Sequence, residues 1–507
     1  MTFKDLKKNL KKDYTGFSSV KVALLGDSAT QLLNQAIRGA GYGQNLDFDL
    51  FEADFNQIDS MIMNVSSELY EAKPEYTIVF ESAHKLLQKF NKLDETGREK
   101  FAEARYEKVN AYVQTLNSHL NTKIIWLNYA EIDDAIFGNY ANKISSSFIY
   151  QLRKLNFMLS EYSIQNHNYY ICDISSIQNK IGRDSLFSPT IYVSTESVFS
   201  LDALPIVAER VVQIIGAVKG KIKKCLILDL DNTIWGGVIG DDGLNNIKIG
   251  SLGIGKAFTE FQYWVKKLKD RGIILCVCSK NTESIAREPF EKHPDMVLKL
   301  SDFAVFKANW DTKVENIRAI QKTLNIGFDS LVFLDDYPFE RNMVRESIPG
   351  IAVPELPEDP AEYLEFVYAQ NLFETASYSA EDAKRTEQYR IKSQLEVEAA
   401  SFASEDDFLK TLNMVSVAKR LNEFAIPRIA QLSQRSNQFN LRTVRYDEES
   451  LKRIVESDGY AAYSFTLTDK YGDNGTIGAI ILQRKNDDDL FIDSWFMSCR
   501  VLKRGME

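Results

Sequence analysis

The stretch from Lys224 to Gly243, KCLILDLDNTIWGGVIGDDG, limits what this chain can fold into more than any other. It opens on a short apolar run, Cys225 to Leu228, and continues through Asp229, Asp231, Asn232 and Thr233 into a Gly-rich turn. A short β-prone run bounded by turn signals reads as a buried strand. Side chains alternate along a strand, so Asp229 and Asp231 are expected on one face at its carboxyl end. In open α/β sheets that is the end where ligands bind. Two neighbouring acids repel each other, and desolvation penalises both. A divalent cation, or a division of labour between nucleophile and proton donor, resolves the conflict. A solvated acidic loop after a core strand is the plainer alternative.

The length, 507 residues, suggests about three domains. Hydrophobic (44%) and charged (26%) fractions are those of an ordinary globular protein. The net charge of −10 argues against a general nucleic-acid or anionic-membrane partner. No apolar run is long enough to span a bilayer, and the basic N-terminus lacks an apolar signal core. The five cysteines, at 172, 225, 276, 278 and 499, show no paired-CxxC spacing. An odd number without a framework suggests reduced thiols and a cytoplasmic location. Only four histidines are present, which weakens a zinc-enzyme reading.

Residues 1–218 alternate strand-like runs (Val20 to Leu25, Tyr76 to Phe80, Lys123 to Trp126, Tyr169 to Ile174) with helical patterns such as Ala29 to Arg38 and Gly97 to Asn121. That alternation implies a parallel sheet covered by helices. Gly26-Asp27-Ser28 after the first strand resembles the opening block of SGNH-type esterases, in which the Ser is the nucleophile and a late Asp-x-x-His supplies the base. The late candidate here is Asp202-Ala203-Leu204-Pro205. A proline cannot accept the hydroxyl proton. Ser28 is therefore expected to cap the following helix, within a flavodoxin-like, SGNH-type domain whose hydrolase chemistry is lost or altered.

Residues 219–375 carry the Asp229 strand and then an amphipathic helix, Gly250 to Lys269, whose Phe258, Phe261, Trp264, Val265 and Leu268 stripe reads as core. A strand from Ile273 to Cys278 ends in Ser279-Lys280-Asn281, where a hydroxyl before a helix is well placed to hold a phosphate oxygen. Lys313 stands near the start of a helix reaching Ile320, and the strand Ser330 to Leu334 ends in Asp335-Asp336. Singly these signals are weak, since Ser279 also suits a helix cap and Lys313 a solvated face. In this order they resemble the four motifs of the haloacid dehalogenase (HAD) superfamily. The quoted Lys224 to Gly243 stretch, Cys278-Ser279-Lys280-Asn281, Asn309-Trp310 with Lys313, Asp335 to Arg341 and Val353 to Pro357 further resemble its FkbH-like branch, subfamily IIIC.

The resemblance implies a Rossmannoid HAD domain with Mg²⁺ held by Asp229, Asp231 (through its backbone carbonyl), Asp335 and, less certainly by strand alternation, Asp336. It implies Asp229 as nucleophile, Asp231 as acid and base, Lys313 as charge neutraliser, and Thr233, Ser279, Lys280 and Asn281 as substrate contacts. Residues 376–507, a charged linker helix (Ser379 to Ala400) and then strand-like runs at Tyr460 to Thr468, Gly475 to Gln483 and Leu490 to Ser498, would be a GNAT-like α+β domain that the chain leaves within its length. The expected fold class is thus multidomain α/β. Members of this branch take a three-carbon acyl phosphate such as 1,3-bisphosphoglycerate as a phosphorylated small-molecule donor. They load its acyl group onto the phosphopantetheine thiol of an acyl carrier protein, for a polyketide or polysaccharide product. An enzyme Cys often carries the acyl group between the two motif aspartates; Leu230 stands there, leaving Cys278 as the nearest candidate acceptor, although it reads first as a small buried strand residue. A plain small-molecule phosphatase and a carrier-binding scaffold with vestigial sites are the alternatives.

Overall fold

The computed structural model of the protein describes residues 1–378, 385–399, 402, 404–436, 438–486, 489–498, 501, 502 and 504–507. The first six residues of the expected linker helix, Ser379 to Lys384, and Cys499-Arg500 lie outside these. The chain divides into two units, Met1–Gly216 and Ala217–Glu507. No helix among the described residues is long and apolar enough to cross a membrane.

The first unit is built on five strands: β1 (Ser18–Gly26), β2 (Leu46–Glu52), β3 (Tyr76–Phe80), β4 (Lys123–Leu127) and β5 (Tyr169–Cys172). All pair in parallel, in the order β2-β1-β3-β4-β5. This is the flavodoxin-like doubly wound order. The four strands read from sequence are present, and β2 is the addition. Its LDFDLFE alternation buries Leu46 and Phe48 and exposes Asp47 and Asp49, as a half-covered edge strand does. The expected helix from Gly97 is interrupted at Lys100 (φ −105°, ψ 12°), giving Glu95–Glu99 and Phe101–His119.

The carboxyl ends of these strands are wired internally. Both Asp27 carboxylate oxygens accept from Ser82 N at 3.0 Å. Glu81, buried after β3, accepts from Arg105 Nη2 (2.6 and 2.7 Å), Lys89 Nζ (3.0 Å) and Tyr129 Oη (2.8 Å). Burial raises the cost of the Glu81 charge, but Arg105 and Lys89 outweigh it and hold its pKa below the ordinary value.

The second unit contains two sheets. Strands β6 (Cys225–Leu228), β7 (Ile274–Ser279), β8 (Val305–Ala308) and β9 (Leu331–Leu334) form a parallel sheet in the order β8-β7-β6-β9. Alternation assigns its two faces. Leu226, Leu228, Leu275, Val277, Val332 and Leu334 meet Phe258, Phe261, Val265 and Leu268 of the helix Gly253–Asp270. Cys225, Ile227, Ile274, Cys276, Cys278 and Phe333 meet Ile317 and Ile320 of the helix Lys313–Leu324. Strand β8, which carries Lys307 and is only partly buried, does not show in the sequence. The other sheet is antiparallel: β10 (Val415–Arg420), β11 (Tyr460–Asp469), β12 (Gly472–Arg484) and β13 (Leu490–Met497), paired in that order. Its added strand, β10, is exposed throughout.

The Glu81 network generates a stability expectation. Glu81→Leu strands the Arg105 guanidinium in the interior, and losing one partner of a buried pair costs about 3–5 kcal/mol. Thermal and urea unfolding of the variant should show a matching loss; an unchanged midpoint would mean that the network contributes nothing to stability.

Candidate active site

Strand register creates the site. Strands β6 and β9 pair from Cys225↔Leu331 to Leu228↔Leu334, and Asp229 N donates to Leu334 O at 3.0 Å. Pairing to the last residue delivers Asp229 and Asp335 side by side at the carboxyl ends. Beyond Asp229 the chain turns tightly. Thr233 N and Ile234 N donate to Leu230 O (3.1 and 2.8 Å), and Asn232 takes a left-handed conformation (φ 53°), which Asn tolerates better than most residues. From across the sheet comes Lys313, the first residue of its helix. Thr312 caps that helix in a reciprocal box with Glu315, fixing where Lys313 starts.

Lys313, 3% exposed, places its ammonium 2.8 Å from Asp229 Oδ2 and bonds Asp335 Oδ2. Asp229, Asp335 and Asp336 each offer a carboxylate oxygen, all within 4.8 Å of one another. Burial, then the Asp229 charge, pushes Asp335 up to about 7 and Asp336 up to about 6. Burial opposes the Lys313 charge, but Asp229 and Asp335 outweigh it and hold its pKa well above the ordinary value. Three carboxylates against one ammonium leave two negative charges when all are ionised. Asp229 Oδ1 is buried with no hydrogen-bond partner. An all-oxygen set with an unsatisfied buried carboxylate oxygen suits a hard divalent cation, which would supply the missing charge.

Asp336, half-buried, also belongs to the cluster, beside the fully buried Asp335. The expectation that alternation would separate them fails because β9 ends at Leu334, and alternation does not extend into the loop. Arg341 shapes that loop, donating from Nη1 to the backbone oxygens of Asp335 (2.8 Å) and Asp336 (2.6 Å) and from Nε to Glu355 (3.0 Å). The sequence motif contained Arg341 and Glu355, but neither residue type announces a bond to a loop carbonyl. Thr233 Oγ1 accepts from Asp336 N at 3.2 Å, tying the first loop to the last.

Asp231 also lies past the end of its strand, where alternation no longer sets the direction of its carboxylate. Its Oδ1 accepts from Trp235 Nε1 (2.9 Å) and Ile239 N (3.0 Å), and its Oδ2 from Asn281 Nδ2 (2.8 Å). Burial raises its pKa against these donors. Asn281 also donates to Ser279 Oγ at 3.2 Å, so Asp231, Asn281 and Ser279 form one chain of hydrogen bonds. Lys280 turns instead to Glu340, at 2.6 Å. Trp235 is the residue that sequence reasoning missed; its indole N–H is the signal, because a buried one needs an acceptor.

Cys278 is fully buried. Its Sγ contacts Lys313 O at 3.7 Å, and burial pushes its thiol far above the ordinary value. It packs as a core residue and is not poised as a nucleophile. In the first unit, Ser28 does not cap a helix. The helix Gln31–Gly41 has Thr30 at its N-cap, and Thr30 Oγ1 donates to Glu52 instead. Ser28 Oγ, buried, donates to Asp27 Oδ1 at 3.2 Å.

Comparison with known proteins places this geometry. Residues 21–216 match the family model "FkbH, N-terminal domain". A crystal structure of the N-terminal part of a Bacteroides fragilis protein, containing a phosphatase domain and complexed with Mg, is 56% identical. That match covers 74% of this chain and 100% of that chain, with a TM-score of 0.72. The chain belongs to the FkbH-like family. Its Asp229 site accordingly lies in an HAD-type phosphatase domain. Crystal structures of TesA (12% identity, 38% of this chain, 95% of that chain) and of the acetyl xylan esterase AlAXEase (14%, 38% and 98%) also match. Their TM-scores, 0.27 and 0.26, are too low to carry a conclusion. No curated protein matches the chain.

Because the Ser28 hydroxyl is spent on Asp27 and no Asp-x-x-His base follows, Ser28→Ala should leave phosphate release unchanged. Wild type should hydrolyse p-nitrophenyl acetate no faster than the variant. A fast ester hydrolysis lost on substitution would reveal a working esterase site.

Proposed function

We propose that this FkbH-like protein is a Mg²⁺-dependent enzyme that removes phosphate from a three-carbon acyl phosphate, such as 1,3-bisphosphoglycerate. The acyl group would pass to the phosphopantetheine thiol of an acyl carrier protein. The observation that carries the Mg²⁺-dependent phosphate chemistry is the buried, unpartnered Asp229 Oδ1 beside Asp335, Asp336 and the Lys313 ammonium. Asp229, Asp335 and Asp336 would hold the ion, as the Bacteroides relative's complex with Mg supports. Bound there, Mg²⁺ supplies charge neutralisation for the phosphate oxygens.

The chain's own residues fit that task. Lys313, held at the cluster by two carboxylates, keeps its proton and gives the phosphate a fixed positive neighbour. Ser279 and Thr233 place hydroxyls at the ends of the same loops. In acyl transfer the thiolate sulfur attacks the carbonyl carbon, the C–O bond to the phosphate breaks, and orthophosphate leaves with that electron pair. Neither orthophosphate nor an acyl carboxylate needs a proton to depart, whereas the alkoxide of a phosphate monoester does. Three donors fix the Asp231 carboxylate, and burial raises its pKa. Hydrolysis by the same site would run instead by attack of Asp229 on phosphorus. The carrier protein, an SGNH-type ancestry for the first unit and a GNAT-like reading of the antiparallel sheet rest on family resemblance, and a cytoplasmic location rests on the odd, unpaired cysteine set.

Asp229→Asn keeps the shape and removes the charge. Phosphate release from the acyl phosphate should fall by at least about 10³-fold, and EDTA should abolish it in wild type. Mass spectrometry of an added acyl carrier protein should show the acylated arm. Phosphate release that leaves the carrier unmodified would reduce the enzyme to a plain phosphatase, and near-normal turnover in folded Asp229→Asn would overturn the site itself.

A further inference from the structure

The exposed apolar side chains around the parallel sheet of the second unit are not scattered. Every residue from 217 to 375 is described, and eight large apolar side chains are exposed there. Six of the eight follow the carboxyl ends of the strands, in loops or helix starts. Val238 and Leu252 follow β6, Ile285 follows β7, Trp310 follows β8, and Tyr337 and Phe339 follow β9. The other two, Tyr263 and Tyr368, lie within helices. Single exposed apolar groups are ordinary, but their collection on one end of a sheet marks a binding surface. Here it is the end that carries Asp229.

The aromatic members are fixed to the loops of the site. Trp310, 73% exposed, lies three residues before Lys313. Its neighbour Asn309 donates from N to Ser279 O at 3.2 Å and exchanges side-chain hydrogen bonds with Asn316 at 2.7 and 3.1 Å. Tyr337 N donates to Asp335 Oδ1 at 2.8 Å. The rings of Tyr337 and Phe339, 58% and 57% exposed, stand 6.1 Å apart at an angle of 44°. Strands β8 and β9 are the outer strands of the sheet, and β6, which delivers Asp229, lies between them. Aromatic side chains thus stand at both edges of the sheet with Asp229 between them. Aromatic side chains have few torsions, so a ligand orders them at little entropic cost.

The centre they surround is polar and buried: Asp229, Lys313 and Asp335. A phosphate group gains nothing from an aromatic face, and a hydroxylated three-carbon acyl group gains little. The thiol that takes the acyl group has to come in from outside, so the chain that carries it crosses this rim. A pantetheine arm has a geminal dimethyl group and two flat amides, which pack on aromatic faces. We propose that the rim formed by Trp310, Tyr337 and Phe339 holds the pantetheine arm of the acyl carrier protein while its thiol reaches the Asp229 site. This rests on the acyl-transfer reading above and adds to it the surface that takes the acceptor.

Acceptor kinetics of the full chain test this, with Trp310→Ala and Phe339→Ala, both exposed side chains outside the core. Free pantetheine is the first acceptor and an acyl carrier protein bearing its arm the second. Each is added with Mg²⁺ and the acyl phosphate, against an enzyme-free blank for spontaneous thioester formation. Each variant should raise the KM for both acceptors by about 10-fold, the scale of one lost aromatic contact. Phosphate release without a thiol, and the KM for the acyl phosphate, should stay as in wild type. A KM raised for the carrier protein but not for pantetheine would assign the rim to the carrier's surface. A KM raised for the acyl phosphate would assign it to the donor. Either result overturns the proposal, as does an unchanged KM for pantetheine when wild type acylates it. Wild type that releases phosphate and acylates neither acceptor overturns the transfer reading itself, and this inference with it.

Discussion

The second unit depends on one ammonium held between two carboxylates. Lys313 bonds Asp229 and Asp335 from the amino end of a helix, while those two aspartates arrive on adjacent strands. Each contact has a structural cause. The strand register sets the spacing of the carboxylates, and the Thr312–Glu315 box sets where the helix begins. Two buried acids and a half-buried third are expensive to gather, and a single lysine offsets only part of the cost. The residue of that imbalance is the unpartnered Asp229 Oδ1, which is why the site reads as built for a further cation.

Much of this was legible in the sequence because the clustered carboxylates sit at strand ends, and strand ends are where apolar runs stop. Cys225 to Leu228 and the run before Asp335 are short, β-rich and fully buried, so their boundaries were read to within one residue. What followed the strands was not legible. Past the last paired residue, alternation gives no information, so the directions of Asp231 and Asp336 depend on loop hydrogen bonds from Trp235, Asn281 and Arg341. Those bonds join residues far apart in sequence, and no periodicity announces them.

The strands missed were edge strands: β2, β8 and β10 each terminate a sheet. An edge strand need bury only part of its surface, so it carries polar residues that weaken its hydrophobic signature. Asp47 and Asp49 in β2, Lys307 in β8 and Lys419 with Arg420 in β10 show this. The central strands, covered on both faces, kept continuous apolar runs. Legibility therefore followed burial rather than functional weight.

The two parallel sheets make opposite use of acids at the same topological position. In the first unit, Asp27 and Glu81 follow β1 and β3, and each is satisfied within the protein. Asp27 receives Ser82 N on both oxygens, and Glu81 receives two cations and a phenol. Such acids rigidify a rim. In the second unit, Asp229 and Asp335 follow β6 and β9 and share one lysine, with a carboxylate oxygen left over. Carboxylates at strand ends are common to both, so their presence does not separate a scaffold from a reaction centre. What sets the second rim apart is convergence: three carboxylates offer oxygens within 4.8 Å of one another around a single lysine.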